Sequence, residues 1–472
     1  MEKRKGMMKE ITRQMCLAMP LTVANFLMFA LQFVSIMMVG HISHEKLAGA
    51  SIAISFVNSL GFSVLMGASS ALDTLCGQSF GAQNYKMVGL YLQRAMVICV
   101  LISIPLAIGT AFSGSILILL RQVPEISMAA ESYARLMIPS LFAFGLIQCI
   151  LKFLQAQKIV VPIMFSSGIT AIFHLINCWF FTYKTELGYR GAALSVSISY
   201  WFNLLLLVLY VCLSPSCKST WTGFSREAFH GLWDFLKLGI PSTLMLLLIL
   251  AGLLKNPELQ TSLMSISQNI SSLVYAIPLG LSGAVSTRIS NELGAQNPGA
   301  AVLAILTAAV AIIIEGLAVG FGMIGGRNLW GHLYTKEREV VNAVAVMIPW
   351  IALSHCIDGF QCVLLGTIRG SGRQKMGVFV CLGSYYLVGI PASIILGFVF
   401  HMDVKGLWIG NICAIFVQDG VLLIMSILTN WEKQVMKAME RAQTSEKSGP
   451  DYWISNMPSS RHSFSIVIDP TE

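Results

Sequence analysis

Runs of about 20 apolar residues recur along the whole chain, separated by short polar stretches, which is the pattern of helices that cross a membrane. Twelve such segments can be recognised, at residues 15–39, 47–72, 88–112, 128–151, 159–182, 191–213, 236–254, 261–285, 301–325, 340–366, 376–400 and 405–429. Hydrophobic residues make up 55% of the chain and charged residues 11%, against about 25% charged in a soluble protein. The sequence therefore predicts an all-α polytopic membrane protein with twelve transmembrane helices.

Short motifs repeat between the two halves of the chain. GAQN occurs at residues 81–84 and again at 294–297, and MIP occurs at 137–139 and again at 347–349. Matches at a nearly constant spacing indicate an internal repeat. Because each half holds six segments, an even number, both halves enter the membrane from the same side. We therefore predict two parallel six-helix lobes with a substrate site between them near the middle of the membrane.

Polar stretches between and after the lobes set the predicted domain boundaries. We expect an N-lobe at residues 1–213, a cytosolic linker at 214–235 and a C-lobe at 236–429. Residues 430–472 are expected to form a polar cytosolic tail without fixed structure. Basic residues concentrate on the side that holds the termini, as at Lys3 and Arg4. The positive-inside rule then places both termini in the cytosol. The net charge of +8 is accordingly a topology signal, and no nucleic-acid partner is predicted.

Four blocks of the chain resemble a known family of transporters. They are LDTLCGQSFGAQNY at 72–85, YARLMIPSLFAFGLIQCILKFLQAQ at 133–157, GLSGAVSTRISNELGAQNP at 280–298 and IDGFQCVLLGTIRGSGRQK at 357–375. They are similar to the multidrug and toxic compound extrusion (MATE) family, and most of all to its plant DETOXIFICATION branch. The resemblance implies a cation-coupled antiporter, usually proton-driven in plants. Such a protein exports or sequesters organic cations, xenobiotics or secondary metabolites at the plasma membrane or the vacuolar membrane.

The seventh segment is shorter than its counterpart in the first lobe. PSTLMLLLILAG at 241–252 corresponds to PLTVANFLMFALQFVSIMMVG at 20–40, so nine residues are missing, which is about 13 Å of helix. The resemblance implies a glutamate beside tryptophans in this helix, as part of the C-lobe cation site, and the segment has neither. Three interpretations stay open: a splice or gene-model variant, a diverged transporter that relies on other acids, and a transport-impaired paralogue.

Four acidic residues in or directly beside the predicted segments stand out, because a charge at mid-membrane costs about 2.5–3.5 kcal/mol to insert: Asp73, Glu315, Asp358 and Asp419. Asp358 matches the aspartate that the resemblance implies for cation coupling, and a carboxyl kept from water can bind and release a proton near neutral pH. We predict that Asp358 couples protons to transport, with Glu315 as a second proton-coupling residue. Asp73 and Asp419 lie nearer the cytosolic ends of their segments. Capping or pairing, as with Arg94, is predicted for Asp73, and solvation for Asp419.

Polar and aromatic side chains are candidates for the substrate cavity. His355 and Gln361 lie one helical turn before and after Asp358, on the same face. Aromatic rings can hold an organic cation against their faces, and amides can hydrogen-bond to a solute. The further predicted cavity residues are Asn203, Tyr200, Asn269, Tyr275 and Tyr385. Packing and interhelical hydrogen bonding are the alternative interpretation for each of them.

The predicted function is secondary active transport driven by a proton gradient, with sodium coupling left open. We expect no cofactor, no metal site and no enzymatic activity, since the chain has no GxxxxGK[ST], HExxH or GxSxG motif. The predicted partners are small organic solutes, protons and the lipid bilayer, and the protein is expected to be a monomer. A membrane enzyme acting on lipid-linked substrates is less favoured, because the predicted non-cytosolic loops are short and carry no catalytic cluster.

Overall fold

The computed structural model describes residues 2–42, 44–119, 122–229, 232, 235–237, 239–240, 261–330 and 338–447. In the first half the helices with defined bounds are α1 (Glu2–Gly40), α2 (His44–Phe56), α3 (Ser63–Ser69), α4 (Ala71–Gly81), α5 (Tyr85–Ala111), α6 (Ser113–Leu119), α7 (Pro124–Ala156), α8 (Val161–Tyr183) and α9 (Tyr189–Leu213). In the second half they are α10 (Thr261–Gly294), α11 (Pro298–Gly325), α12 (Arg327–Trp330), α13 (Arg338–Ser371), α14 (Gln374–Leu382), α15 (Ile390–Ile394), α16 (Asp403–Ile427) and α17 (Trp431–Lys447).

Eleven stretches of helix in the described residues are long and apolar enough to cross a membrane. Each coincides with one of the predicted segments, which confirms an all-α polytopic membrane protein. Two of them contain π-helical turns: Val57–Phe62 joins α2 to α3, and Gly383–Gly389 joins α14 to α15. The predicted seventh segment falls almost wholly outside the described residues, so its shortening stays a prediction.

The two GAQN motifs form the same turn in both halves of the chain. Gln83 and Gln296 both have positive φ angles, 61° and 60°, the left-handed conformation that ends a helix. Asn84 and Asn297 follow, and the side chain of each accepts a hydrogen bond from the backbone N–H three residues further on. Each asparagine thereby caps the next helix. The sequence repeat is thus also a repeat in backbone conformation.

The ends of α4 and α10 that lead into these turns pack against each other symmetrically. A β-carbon on Gly81 would collide with the backbone carbonyl of Asn291, and one on Gly294 would collide with the carbonyl of Gln78. The two glycines occupy equivalent positions of the repeat, as do Gln78 and Asn291. The two halves therefore meet here about a local two-fold axis, and glycine is what allows the backbones to approach so closely.

Buried ion pairs and amides join the two halves near this crossing. The Arg288 guanidinium on α10 donates two hydrogen bonds, of 2.7 and 2.9 Å, to the Glu10 carboxylate on α1, and both side chains are 4% exposed. Gln155 on α7 donates to the backbone carbonyl of Gly283 and to the Thr287 hydroxyl on α10. Bidentate arginine–carboxylate pairs are among the stronger polar contacts in proteins, so this end of the two halves is firmly connected.

Asp73 belongs to the same junction. Its carboxylate lies 3.0 Å from the Lys152 ammonium on α7 and 3.9 Å from the Arg369 guanidinium on α13. The predicted ion pairing of Asp73 is therefore present, with partners from α7 and α13 that the sequence did not indicate. Pairing with Arg94 stays a prediction.

The prediction of a tail without fixed structure was wrong for its first part, because Trp431–Lys447 form α17. Val435 and Ala438 are buried, one turn apart, against the transmembrane helices. The Arg441 guanidinium donates to the Gln78 side chain at 3.1 Å and to the Gly372 carbonyl at 3.3 Å. An apolar stripe on an otherwise polar helix explains why composition alone suggested disorder. The division into lobes, linker and tail otherwise stays a prediction.

Substituting either glycine of the crossing is expected to destabilise the junction between the two halves. Gly81→Ala and Gly294→Ala each place a methyl group against a backbone carbonyl, and we expect a loss of about 1–3 kcal/mol. The measurement is the thermal midpoint of the purified protein in detergent. Gly109→Ala is the matched control, since no atom lies within 4 Å of a β-carbon there. Equal midpoints for all three variants would contradict the close approach.

Candidate functional site

Asp358 is the carboxyl nearest the middle of the span Val344–Ser371 in α13. It is half-buried and accepts a hydrogen bond of 2.8 Å from the Ser354 hydroxyl one turn earlier. α13 packs against α10, α11 and α16, so groups from three other helices can reach it. A carboxyl at this depth needs a hydrogen-bond donor, a counter-ion or a bound proton.

A histidine–glutamate pair lies beside Asp358. His355 Nε2 on α13 is 3.0 Å from Glu315 Oε1 on α11, with the His355 side chain 2% and the Glu315 side chain 16% exposed. His355 also interacts electrostatically with Asp358. The structure thus brings the two predicted proton-coupling residues and His355 into one connected set. An imidazole can hold or pass on a proton between such carboxyls.

Amide and phenol groups form one wall of this site. Gln361 is 2% exposed, and its side chain interacts with the Tyr385 hydroxyl. Tyr385, on the π-helical segment Gly383–Gly389, is 6% exposed and faces Gln361 and Asp358. Tyr275 on α10 faces Asp358 and the Cys362 thiol. These groups can donate hydrogen bonds to a carboxylate or accept them from a solute.

Asp419 also belongs to this site, which corrects the prediction of a solvated residue. It lies on α16, is 6% exposed, and interacts electrostatically with Asp358. One carboxyl oxygen, Oδ1, has no hydrogen-bond partner in the part of the chain that the structure describes. Depth along the segment suggested contact with water, but the surrounding helices cover this face of α16. In the sequence, the only indication that Asp419 belongs to the site was that it is one of the four acidic residues in or beside the predicted segments.

Two predicted cavity residues lie in a different cluster, in the first half of the chain. The Tyr200 hydroxyl accepts a hydrogen bond of 3.3 Å from Gln32, which also pairs side chain to side chain with Asn58. Asn203 donates to the Met28 sulfur at 3.5 Å. Tyr200 is 2% and Asn203 is 1% exposed, so contact with a solute would require this half to rearrange.

The predicted site residues therefore fall into three groups. One connected C-lobe set contains Asp358, Glu315, His355, Gln361, Tyr275 and Tyr385. A separate cluster in the N-terminal half contains Tyr200 and Asn203. The side chain of Asn269 lies outside the described part of the structure. Their roles in coupling and substrate binding stay predictions, since position alone does not test a role.

Two structurally repeated halves of membrane-spanning helices, with polar groups held at mid-span, define the chain as a polytopic membrane transporter. The sequence model of the MatE family matches residues 20–180 and 238–395. The chain belongs to this family, the multidrug and toxic compound extrusion transporters.

Relatives and solved structures agree with this assignment. The chain is 49% identical to Protein DETOXIFICATION 16 of Arabidopsis thaliana over 93% of this chain and 92% of that one. It is 46% identical to Protein DETOXIFICATION 17 of the same plant over 94% and 95%. The crystal structure of the eukaryotic MATE transporter AtDTX14 matches with a TM-score of 0.89 and 39% identity, over 93% of this chain and 100% of that chain.

A more distant match supports the fold alone. The outward-facing conformation of a multidrug resistance MATE family transporter has a TM-score of 0.78 over 91% of this chain and 97% of that chain, at 15% identity. The chain is thus a MATE transporter of the plant detoxification branch. Its family and its structural neighbours are transporters and not enzymes, as predicted.

The His355–Glu315 contact is expected to contribute to stability as a coupled pair. Glu315→Gln and His355→Gln each leave one buried partner poorly paired, and we expect each to cost about 1–3 kcal/mol. The double variant should lose less than the sum of the two, because neither unpaired group then remains. Thermal unfolding of the purified variants measures all three.

An exposed ion pair provides the matched control. Arg135 and Glu131 on α7 lie 2.5 Å apart, with 57% and 21% of their side chains exposed. The same substitutions to glutamine there should change stability by less than about 1 kcal/mol and should be additive. If the losses of stability in the His355 and Glu315 variants are also additive, the buried contact contributes nothing to stability.

Proposed function

We propose that the protein is a proton-coupled antiporter that exports or sequesters organic cations, xenobiotics or plant secondary metabolites. The single observation that carries the proposal is Asp358, a carboxyl at mid-span with no arginine or lysine ion-paired to it among the described residues. A charge in that position is costly, so its protonation state is coupled to whatever else occupies the site. That coupling is what exchange of a proton for a cation requires.

Glu315 and His355 support the same function. The imidazole contacts Glu315 directly and Asp358 electrostatically, so a proton gained at one group changes the charge felt by the others. A cationic solute and a proton then compete for the same negative charge. Arrival of either one favours release of the other, which gives exchange without any chemical energy source or cofactor.

Alternating access would act on the junction between the two halves. The Arg288–Glu10 pair and the contacts of Asp73 join the halves at the end that holds the GAQN turns. Opening of that end must separate these groups, while opening of the other end can leave them intact. Binding at the C-lobe site can shift the equilibrium between the two open states. The size of the shift is limited by the difference between the binding free energies in the two states.

We further propose that both termini are cytosolic and that the working unit is a monomer in the plasma membrane or the vacuolar membrane. The positive-inside distribution of basic residues supports the orientation. The resemblance of the chain to plant relatives supports the two candidate membranes. The proton is proposed as the coupling ion because the carboxyls lie beside a histidine, whose imidazole can pass a proton between them.

Replacing Asp358 by asparagine is expected to abolish proton-driven transport. The amide keeps the size of the side chain and can still hydrogen-bond to Ser354, but it cannot gain or lose a proton. The measurement is efflux of a fluorescent organic cation from proteoliposomes under an imposed pH gradient, and we expect the rate to fall to that of empty liposomes. The variant should still insert and elute as a single species.

Glu125→Gln is the control variant, because Glu125 is an exposed acid at the start of α7. It should transport at the wild-type rate. Wild-type transport by Asp358→Asn would remove Asp358 from the mechanism. Absence of transport by the unmodified protein, for several cations and in both sodium and proton gradients, would favour the alternative of a transport-impaired paralogue or a variant that lacks nine residues of the seventh segment.

A further inference from the structure

Asp419 is a buried carboxyl and Asp358 a half-buried one; the two interact with each other, and no arginine or lysine of the described residues is ion-paired to either. Asp419 lies on α16 and Asp358 on α13, two helices that pack together. No ion pair with either carboxyl occurs among the described residues. Two like charges in a medium of low dielectric constant cannot both be ionised without a large cost. A positive charge must therefore accompany this pair.

The other titratable groups that face the pair do not supply that charge. From α13 and the π-helical segment, Cys362 and Tyr385 face Asp419, and both side chains are neutral or negative. From α10, Tyr275 faces Asp358. α15 and a third π-helical segment that follows it, Ile395–Val399, carry no titratable side chain. Among the described residues, the bases that reach these groups are His355, which is already in contact with Glu315, and Arg369, which interacts with Cys362 and Tyr275 but forms its ion pair with Asp73.

An unpaired carboxyl oxygen lies close to an amide and a phenol. The Oδ1 atom of Asp419 lacks a hydrogen bond within the described structure, and Asp419 and Gln361 are both less than 10% exposed. The Tyr385 hydroxyl interacts with the Gln361 side chain and with both carboxyls. A buried acceptor without a partner is unfavourable, so a site that leaves one carboxyl oxygen unpaired is suited to bind a proton or a cation there.

We propose that Asp419 is a second member of the proton site, and that Asp358 and Asp419 hold one proton between them as a coupled pair. The proposal rests on the proposed function and extends it by a residue. When the proton leaves, the Gln361 amide and the Tyr385 hydroxyl can donate hydrogen bonds to the carboxylates that remain. The protonation of each carboxyl then depends on the other, so the pair titrates as a unit.

The two carboxyls lie at different distances from the ends of their helices. Asp358 lies 13 residues before the end of α13 at Ser371, and Asp419 lies eight residues before the end of α16 at Ile427. One membrane crossing separates the two helices, so they run in the same direction. At about 1.5 Å per residue, Asp419 is roughly 8 Å nearer the end of its helix. In the proposed orientation this is the cytosolic side.

The decisive experiment compares Asp419→Asn with Asp419→Glu in the full-length protein. Removing the neighbouring negative charge should let Asp358 release its proton more easily, so the pH at half-maximal transport should fall by about one unit in Asp419→Asn. Asp419→Glu keeps the carboxyl and should stay nearer the wild-type midpoint. Glu125→Gln should not change it. A wild-type midpoint in Asp419→Asn would overturn the proposal.

A second measurement does not depend on transport. Infrared difference spectra recorded during a pH titration detect protonated buried carboxyls directly. In Asp358→Asn, the remaining Asp419 signal should disappear at lower pH than in the wild type, because its partner is gone. An unchanged titration would contradict the pair. This measurement tests the coupled pair even if Asp419→Asn does not fold. It also tests the pair if the wild-type protein transports nothing, in which case only the proposed function fails.

A third measurement tests whether the pair binds sodium instead of a proton. The titration is repeated in choline chloride and in sodium chloride at equal ionic strength. The same titration in both salts supports a site for protons. Displacement of the carboxyl signal by millimolar sodium, but not by choline, would show that the pair is a sodium site and would overturn the assignment of the proton.

Discussion

The energetic cost of an unpaired carboxyl in the middle of a membrane is the constraint on which the rest of the structure depends. In water an aspartate is solvated at no cost, whereas at mid-membrane its charge costs about 2.5–3.5 kcal/mol. The carboxyls of this protein are of two kinds. At the junction of the two halves, away from mid-membrane, Glu10 is matched by the Arg288 guanidinium, and Asp73 by Lys152. Asp358 and Asp419 have no such partner in the described structure, so their charge can be changed by a proton.

These two classes of carboxyl lie in different parts of the molecule and are suited to different tasks. Breaking a buried ion pair by removing one partner is strongly unfavourable, so the Arg288–Glu10 contact stabilises one arrangement of the two halves. A carboxyl without a counter-ion changes its charge with the proton concentration and with the arrival of a cation. The first class can hold a conformation, and the second can sense an ion. Coupled transport requires both functions in one molecule.

The sequence predicted the features that depend on position along a single helix. It did not predict the contacts that depend on which helices pack against each other. Hydrophobic runs predicted each span that the structure describes, and the GAQN repeat predicted two similar halves. Asp358 could be recognised because mid-span depth follows from sequence distance alone. The burial of Asp419 and the pairing of Asp73 with Arg369 arise from contacts between distant segments. The amphipathic period of α17, from Val435 to Ala438, was present in the sequence but hidden by its polar composition.

The internal repeat shows that the acids of the two halves are not equivalent. MIP lies 11 residues before Asp358 in α13, and the same motif lies 11 residues before Gln148 in α7. The N-terminal half thus has an amide where the C-terminal half has its central carboxyl, and its Tyr200 cluster is built from amides and a phenol. If Asp358 is the proton site, protonation changes the charge of the C-terminal half at a position where the N-terminal half carries a neutral amide. Two halves that share their helix crossings but differ in charge at this position would then respond differently to a proton, and that difference would favour movement of one half relative to the other.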